Sequence, residues 1–214
     1  MWTIKRLMCN PLQENCYVVS DESGECVIID CGVLYEQEND ALVTYIRDNQ
    51  LKPVHLLATH GHIDHNFGNP LVYREYKLMV EVSLEDLFMV ERLADQALSL
   101  FGIELKMEQP PTGRLLRDGD IVAFGHHTLR VLHTPGHTHG CLIFYCKEEQ
   151  TAFTGDTLFR MSIGRTDFPE SSWGEMEQSL RNVVARLPEE TIVLSGHGPQ
   201  STIADELKYN PYLR

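Results

Sequence analysis

The amino-acid sequence predicts an α/β fold in a single domain that spans residues 1–214. Short apolar runs alternate with amphipathic stretches along the chain, and this alternation is typical of layered α/β proteins. A chain of 214 residues is long enough for one large domain or two small ones. No linker, charge block or internal repeat divides the sequence, which favours one domain.

The first part of the sequence predicts a β-hairpin, a helix and a strand. Residues 16–20 and 26–30 are β-rich runs, and the Ser-Gly pair between them is typical of a hairpin turn. Residues 38–49 place apolar side chains at helical spacing, which predicts a helix. Residues 54–58 then predict a buried strand. These elements make a βα unit followed by a strand.

A longer helix is predicted over residues 83–105. Ser83 is a good N-cap, acidic residues follow it in the first turn, and apolar residues recur along one face. Pro110 and Pro111 are predicted to end this helix, since proline cannot continue one. We expect its apolar face to pack on the sheet.

The second half of the sequence repeats the alternation of strands and helices. Four predicted strands precede a helix over residues 173–186, and one strand follows it. The predicted strands cover residues 120–124, 128–133, 141–146, 151–154 and 191–194.

The charge balance excludes two classes of partner. The chain has 18 basic and 31 acidic residues, a formal net charge of −13. Nucleic acids and anionic membranes attract basic surfaces, so neither is an expected partner.

No stretch approaches the roughly 18 apolar residues of a transmembrane helix, and the N-terminus lacks the apolar segment of a signal peptide. The six cysteines form no CxxC pair and are expected to be reduced thiols of a cytoplasmic protein.

A dense cluster of metal-ligand residue types follows the strand predicted at 54–58. Its sequence is THGHIDH, and it contains His60, His62, Asp64 and His65. Alternate side chains of an extended segment point the same way, so His60 and His62 can converge on one ion. Asp64 and His65 are expected to face a neighbouring point as the chain enters a helix.

Three more residues of this kind stand beside glycine at the ends of predicted strands, namely His137, Asp156 and His197. Ligands collect at the carboxyl ends of strands in α/β folds, so we expect all seven residues to meet in one cleft. A set of histidine and aspartate suits zinc, iron or manganese. Seven ligands exceed the needs of one tetrahedral ion. The sequence therefore predicts two ions about 3.5 to 4 Å apart that share a carboxylate and a water.

The motifs THGHIDH, TPGHTHG, GDT and SGHGP occur in an order that resembles the metallo-β-lactamase superfamily. The resemblance covers nearly the whole chain and implies a four-layer αββα sandwich. It also implies two metal sites with Asp156 bridging them. The implied first site is His60, His62 and His137, and the implied second site is Asp64, His65 and His197. An aspartate rather than a cysteine after the TPGH segment points away from the true β-lactamases.

Within that superfamily, GDTLF and the following SIGRTD are similar to the glyoxalase II-like group, the hydroxyacylglutathione hydrolases and their short relatives. Full-length members carry a C-terminal helical domain that contacts glutathione, whereas only residues 201–214 remain here after the last motif. Their Lys and Tyr after the GDT motif are replaced by GRTD at 164–167. These departures leave the carrier thiol open. The GRTD segment also resembles the persulfide dioxygenases, which use a single iron.

The resemblance implies a metal-dependent hydrolase that cleaves a thioester, S-lactoylglutathione or a related acyl-thiol, with a metal-bridging hydroxide as nucleophile. Asp64 is expected to position that nucleophile, and zinc is the expected metal, with iron or manganese as alternatives. Three other functions stay open. They are a persulfide dioxygenase with one iron, a lactonase or esterase on the same dinuclear site, and a non-enzymatic metal-binding protein. We expect a small-molecule substrate and a monomer or homodimer.

Several polar residues outside these motifs have both a functional and a structural interpretation. Asp30 either closes a turn or, as the resemblance implies, orients a metal-bound histidine. Arg165 either binds a substrate carboxylate through its planar guanidinium or pairs with a neighbour such as Asp167. Five histidines share no motif and are expected in packing, surface or metal-supporting positions: His55, His126, His127, His133 and His139.

Overall fold

A computed structural model describes residues 2–102, 104–105 and 108–213 of the protein. Its first sheet has six strands: β1 (Thr3–Cys9), β2 (Glu14–Ser20), β3 (Glu25–Ile29), β4 (Lys52–Leu57), β5 (Val80–Ser83) and β6 (Leu115–Leu116). They lie side by side in chain order. The strands β1, β2 and β3 are antiparallel, and each pair from β3 to β6 is parallel. The predicted hairpin at 16–20 and 26–30 and the strand at 54–58 are therefore confirmed.

The second sheet also has six strands: β7 (Ile121–Phe124), β8 (His127–His133), β9 (Leu142–Cys146), β10 (Thr151–Gly155), β11 (Ile192–Ser195) and β12 (Ser201–Thr202). Its order is β12, β11, β10, β9, β8, β7. The pairs are antiparallel except β10 with β11, which are parallel. The five strands predicted in the second half of the chain are confirmed.

The described residues form six α-helices: α1 (Glu36–Asp48), α2 (Asn69–Tyr76), α3 (Leu87–Val90), α4 (Leu93–Phe101), α5 (Trp173–Asn182) and α6 (Ile203–Tyr209). The apolar face of α4 packs on Ile63 and Phe67 in the loop after β4, not on the sheet as expected. Two predicted helices are confirmed with small changes at their ends. The helix predicted at 38–49 is α1. The helix predicted at 173–186 is α5, which begins where Ser172 accepts a hydrogen bond from the Glu175 amide, and a 3-10 turn follows it.

Three layers of apolar side chains hold the sheets and helices together. Between the first sheet and α1, the side chains of Val18, Ile28 and Leu42 are fully buried. Neighbouring residues of a strand point to opposite faces, so Val19 lies between the two sheets and shares a cluster with Phe144. A third cluster joins the second sheet to α5 and α6. This is the αββα sandwich that the sequence resemblance implies.

The single helix predicted over residues 83–105 is wrong. Residues 80–83 pair with the first sheet as β5, and Ser83 caps a 3-10 turn by accepting a hydrogen bond from the Glu85 amide. The helix is then interrupted at Arg92, whose φ of −129° and ψ of 37° are not helical. Gly102, at φ +66°, ends α4 well before the two prolines. Ile103, within the predicted helix, lies outside the described residues.

Several short elements were not predicted, among them β1, β12, α2 and α6. Strand β1 forms the edge of the first sheet, and its sequence does not alternate clearly between apolar and polar residues, so it gives only a weak strand signal.

Among the described residues, the helices lack the length and apolar character that a membrane crossing requires. All six cysteines are free and buried, as expected for thiols. One domain over residues 1–214 stays a prediction.

Candidate metal centre

The seven residues singled out in the sequence lie at one end of the two sheets. The cluster that begins at His60 follows β4, and Asp156 directly follows β10. His137 and His197 come shortly after β8 and β11. These strand ends face each other across the sandwich, so the structure brings all seven side chains together as the sequence predicted.

The loop after β4 is held in shape by its own polar side chains. Residues Ile63–His65 form a 3-10 turn, which turns Asp64 and His65 toward the centre. The Asn66 side chain donates hydrogen bonds to the carbonyls of His60 (3.0 Å) and His62 (2.7 Å). The loop therefore presents its ligand-type side chains from a fixed backbone.

Each of the five histidines is anchored to the protein through one ring nitrogen. A histidine whose N–H is fixed in this way has its other nitrogen available as a ligand. The anchored nitrogens and their partners are His60 Nδ1 with Thr59 Oγ1 (3.1 Å), His62 Nε2 with Glu170 Oε1 (3.1 Å), His65 Nδ1 with Asp30 Oδ2 (3.0 Å), His137 Nδ1 with the Arg165 carbonyl (2.8 Å) and His197 Nδ1 with the Leu12 carbonyl (3.0 Å).

The second nitrogens of these rings face one another. His62 Nδ1 lies 2.9 Å from His137 Nε2, and His65 Nε2 lies 3.3 Å from His197 Nε2. His60 Nε2 is buried and has no hydrogen-bond partner. A neutral histidine ring has one N–H, and here that N–H makes the anchoring hydrogen bond. The second nitrogens of two facing rings then point their lone pairs at each other. Two lone pairs repel unless a cation lies between them, so this arrangement fits a metal site.

Two carboxylates complete the centre. Asp64 Oδ2 lies 3.3 Å from His197 Nε2 and 3.7 Å from His65 Nε2. Asp156 places one oxygen 3.4 Å from His65 Nε2 and the other 3.4 Å from His137 Nε2. Asp156 Oδ1 has no hydrogen-bond partner although it is buried. Asp156 thus lies between the two groups of ligand-type residues.

The side chains form overlapping sets in which all ligand atoms lie within 4.8 Å of one another. One set is His60, His62 and His137, and another is Asp64, His65 and His197. A third set joins them and consists of His60, His65 and Asp156. These groupings match the two sites that the resemblance implies. Histidine nitrogen and carboxylate oxygen are suitable ligands for zinc, iron and manganese, so the residues present fit a pair of such ions.

The electrostatic field of the centre favours a cation. Burial and the neighbouring histidines lower the pKa of His60 well below its usual value, so this ring is neutral. Burial also opposes a charge on His65, but Asp64, Asp156 and Asp30 outweigh it and raise the pKa of that ring. Burial also raises the pKa of Asp64, but the nearby His65 and His197 outweigh burial and hold the pKa of this carboxyl well below its usual range. The carboxylates therefore concentrate negative charge where the ring nitrogens meet.

Asp30 makes the contacts expected of a residue that orients a histidine of the centre. Its Oδ2 accepts hydrogen bonds from His65 Nδ1 (3.0 Å) and Thr59 Oγ1 (2.7 Å), and its Oδ1 accepts one from the Thr59 amide (2.7 Å). Its backbone has φ +52°, a conformation that aspartate tolerates better than most residues. Asp30 therefore both turns the chain and supports a histidine of the centre.

Glycine allows the strand ends to approach each other closely. A Cβ atom on Gly196 would collide with Asp156 Oδ1 and would lie 2.5 Å from Cε1 of His65. A Cβ atom on Gly164 would collide with the Asp156 carbonyl and lie 3.0 Å from the His137 ring. The glycines beside the motifs are thus required by the packing of the centre.

A cavity of about 530 Å³ opens onto the centre. This volume is in the range of sites that hold small molecules. Arg165 lies at its rim, where the guanidinium binds Asp167 through two hydrogen bonds (2.6 and 2.7 Å) and lies 4.2 Å from the Phe168 ring. Apolar side chains that line the cavity include Leu12, Leu100, Phe159, Ile163 and Phe168.

Comparison with known proteins places the centre in a family. A sequence model of the metallo-beta-lactamase superfamily matches residues 9–197, a range that contains all seven side chains. The chain belongs to the metallo-β-lactamase superfamily. Its fold is that of this superfamily, and the broad activity supported for it is that of a metallo-hydrolase.

Three similar proteins of this superfamily carry different names. The hydroxyacylglutathione hydrolase GloC of Haemophilus influenzae is 34% identical, and the match covers 94% of this chain and 93% of that protein. The crystal structure of BLEG-1 B3 metallo-beta-lactamase has a TM-score of 0.90 and 34% identity, with 99% of both chains covered. The structure of TTHA1623 in a di-iron-bound form has a TM-score of 0.85 and 35% identity, with 98% of this chain and 100% of that chain covered. The similarity to GloC supports the glyoxalase II-like resemblance of the motifs.

The sequence did not reveal four polar groups that hold the histidines of this superfamily site. They are the Thr59 hydroxyl, the Leu12 and Arg165 carbonyls and the Glu170 carboxylate. Thr59 stands next to the THGHIDH ligands and shows a local signal. Leu12 and Glu170 are distant in sequence, and a carbonyl or a lone glutamate carries no motif. Only the packing of the two sheets identifies them.

Proposed function

We propose that the protein is a dinuclear metal-dependent hydrolase that cleaves thioesters. The observation that carries the proposal is the set of five histidines, each anchored by one nitrogen and each directing the other toward a centre shared with two aspartates. The thioester is supported by the 34% identity to GloC, which is named a hydroxyacylglutathione hydrolase and is matched over 93% of its length.

The proposed ligand assignment follows the groups of adjacent nitrogens and oxygens. His60, His62 and His137 would hold the first ion, and Asp64, His65 and His197 would hold the second. Asp156 would bind both, because its two oxygens lie near histidines of different groups. Zinc is the proposed metal, and the di-iron-bound form of TTHA1623 makes iron the first alternative to test, ahead of manganese.

The chemistry of such a pair of ions, when bound, is to lower the pKa of a shared water from about 15.7 toward 7 and to polarise the acyl oxygen. Asp64 would help to position that water while it holds the second ion with His65 and His197. The apolar side chains around the cavity, such as Leu12 and Phe159, would exclude other water from the acyl group. A thiol has a pKa near 8.5, so its thiolate leaves without a proton from a side chain.

Arg165 is proposed to contact a carboxylate of the substrate at the rim of the cavity. Its ion pair with Asp167 is exposed, and the guanidinium has further N–H donors besides the two that Asp167 occupies. We propose that the substrate is a small-molecule acyl-thiol and that the protein binds neither nucleic acid nor membrane. The proposed oligomeric state is a monomer or a homodimer. The six buried free thiols support a cytoplasmic location.

The experiment that tests the proposed function begins with the protein purified under conditions that retain its metals. Metals are counted per chain by mass spectrometry, and hydrolysis of S-lactoylglutathione is measured beside acyl-thioesters of other carriers. Expected are about two ions per chain and turnover on at least one thioester that chelators abolish and zinc restores. Absence of metal after reconstitution, or metal without turnover on any thioester, would overturn the proposal.

The same preparation distinguishes the other functions. A single iron with oxygen consumption on a persulfide would identify a persulfide dioxygenase. Turnover confined to oxygen esters would identify a lactonase or esterase, and turnover confined to a β-lactam would agree with the name of BLEG-1. Full metal occupancy with no turnover on any of these compounds would indicate a metal-binding protein.

A further inference from the structure

The segment from Arg165 to Ser172 lies against both His62 and His137. The Arg165 carbonyl accepts a hydrogen bond from His137 Nδ1 (2.8 Å), and the Ser171 hydroxyl donates one to the His137 carbonyl (2.7 Å). Between these contacts, the Phe168 ring packs in a T-shaped arrangement with the rings of both histidines, with its centroid 5.2 Å from that of His62 and 6.0 Å from that of His137. The segment thus encloses two rings of the proposed first metal site.

Glu170 supplies the charged contact of this segment. Its Oε1 lies 3.1 Å from Nε2 of His62, while the other nitrogen of that ring faces His137 Nε2 at 2.9 Å. The His62 side chain is 6% exposed and the Glu170 side chain 23%, so solvent competes weakly for this hydrogen bond. A carboxylate on one nitrogen fixes the proton there, sets the rotation of the ring and leaves the opposite nitrogen as the ligand.

The anchors of the other two histidines in that set are uncharged. His60 is held by a threonine hydroxyl and His137 by a backbone carbonyl. We infer that Glu170 is a positioning residue that fixes the ring of His62 for metal binding, so that the segment lining the substrate cavity also determines the affinity of the first metal site. This step rests on the proposed function, because it takes His62 as a ligand of the first ion.

The test compares Glu170→Ala and Glu170→Gln with a matched control, Glu175→Ala. Glu175 follows closely in sequence and also contacts a histidine, with Oε2 2.7 Å from Nδ1 of His139, which lies outside the centre. The Gln side chain keeps an oxygen that can accept the hydrogen bond from His62. The measurements are zinc affinity by competition with a chromogenic chelator and the visible spectrum of the cobalt-substituted protein.

Glu170→Ala is expected to weaken one of the two ions by about 10- to 100-fold and to change the cobalt spectrum of that site. Glu170→Gln is expected to stay within a few-fold of the wild type, and Glu175→Ala is expected to match it. Wild-type affinity for both ions with an unchanged spectrum in Glu170→Ala would overturn the inference and leave the proposed function intact. A wild-type protein that binds no ions would instead refute the proposed function.

A fourth variant separates positioning from folding and from charge alone. Glu170→Asp keeps the charge but shortens the side chain by one methylene, so it is expected to weaken the same ion. If Glu170→Ala fails to fold, Glu170→Asp is the variant that tests the inference. A Glu170→Asp protein that melts like the wild type and binds both ions with unchanged affinity would overturn the inference.

Discussion

Histidines and carboxylates join the two sheets at both ends of the sandwich, but they do so in different ways. At the end opposite the centre, Asp21 in the turn between β2 and β3 contacts the turn between β7 and β8. It accepts hydrogen bonds from the His126 amide (2.6 Å) and from His127 Nδ1 (3.0 Å). The other nitrogen of His127 lies 3.1 Å from Glu149 Oε1. Both nitrogens of this ring therefore have a carboxylate partner.

At the metal centre, each histidine has one anchored nitrogen and one that faces other ring nitrogens. The residue types are the same as around His127, and His127 is also mostly buried. The difference is that each nitrogen of His127 has a carboxylate of its own, whereas the second nitrogens at the centre converge on one another and share two aspartates. This comparison shows that the number of histidines and aspartates does not by itself identify a metal site. The better indicator is a group of rings that each use one nitrogen for a hydrogen bond to the protein and turn the other nitrogen toward a shared point.

The largest expected effect in this comparison comes from Asp156→Ala. This variant is expected to lose metal at both positions and nearly all turnover, because Asp156 lies between the two groups of ligands. Metal content and hydrolysis of the best thioester substrate are measured on the same preparation. Asp21→Asn serves as the control and is expected to keep its metals. Retention of two ions by Asp156→Ala would refute the bridging assignment.

Asp30→Asn is expected to have an intermediate effect at the centre. The amide removes the charge opposite His65 Nδ1 and leaves one oxygen to serve both His65 and Thr59. We expect affinity for one ion to fall by about 10- to 100-fold, as is usual when a partner of a ligating histidine is lost. Chelator competition checks this outcome. If both ions bind as in the wild type, Asp30 only turns the chain.

Asp21→Asn is expected to change stability rather than metal binding. Burial disfavours a charge on Asp21, but hydrogen bonds from His126, Ser23 and His127 outweigh it and hold the pKa well below the usual value. The stability gained is therefore present above the unfolded-state pKa near 3.9 and is lost as the pH falls below it. The variant is expected to lose roughly 1 to 3 kcal/mol at pH 7.

Urea unfolding of Asp21→Asn and the wild type at pH 7 and at pH 3 checks this prediction. The difference between the two proteins is expected to shrink at the lower pH, because Asp21 then begins to lose its charge-dependent advantage. A difference that stays constant over this range would show that the carboxylate charge contributes nothing. Metal content is measured in parallel and is expected to be unchanged, in contrast to Asp30→Asn.

The smallest expected effects concern the cavity rim and separate the two interpretations of Arg165. If its guanidinium binds substrate, Arg165→Ala raises KM for an anionic thioester up to about tenfold. Asp167→Ala then lowers KM, because it releases Arg165 from its ion pair. If Arg165 only pairs with Asp167, the two variants change KM equally. Steady-state kinetics on one anionic and one uncharged thioester distinguish these results.

The sequence predicted those parts of the molecule whose signal is local. The ligand-type residues stand in compact motifs, and the strands that precede them are apolar runs, so their positions at the strand ends were predicted. The single helix at 83–105 was wrong because the spacing of its apolar residues does not reveal the non-helical backbone of Arg92 or the end of α4 at Gly102. Glu170 was not predicted because its role depends on a contact with His62 across a sequence distance of 108 residues.

The centre takes its ligand-type side chains from both sheets and from widely separated parts of the chain, between His60 and His197. During synthesis, a ribosome-bound chain that lacks residue 197 has no complete second site, however well its first sheet has formed. A preformed metal site rarely exists before its scaffold folds. The proposed binding of two ions would therefore follow the folding of both sheets, because neither proposed site is complete before residues of the second sheet are in place.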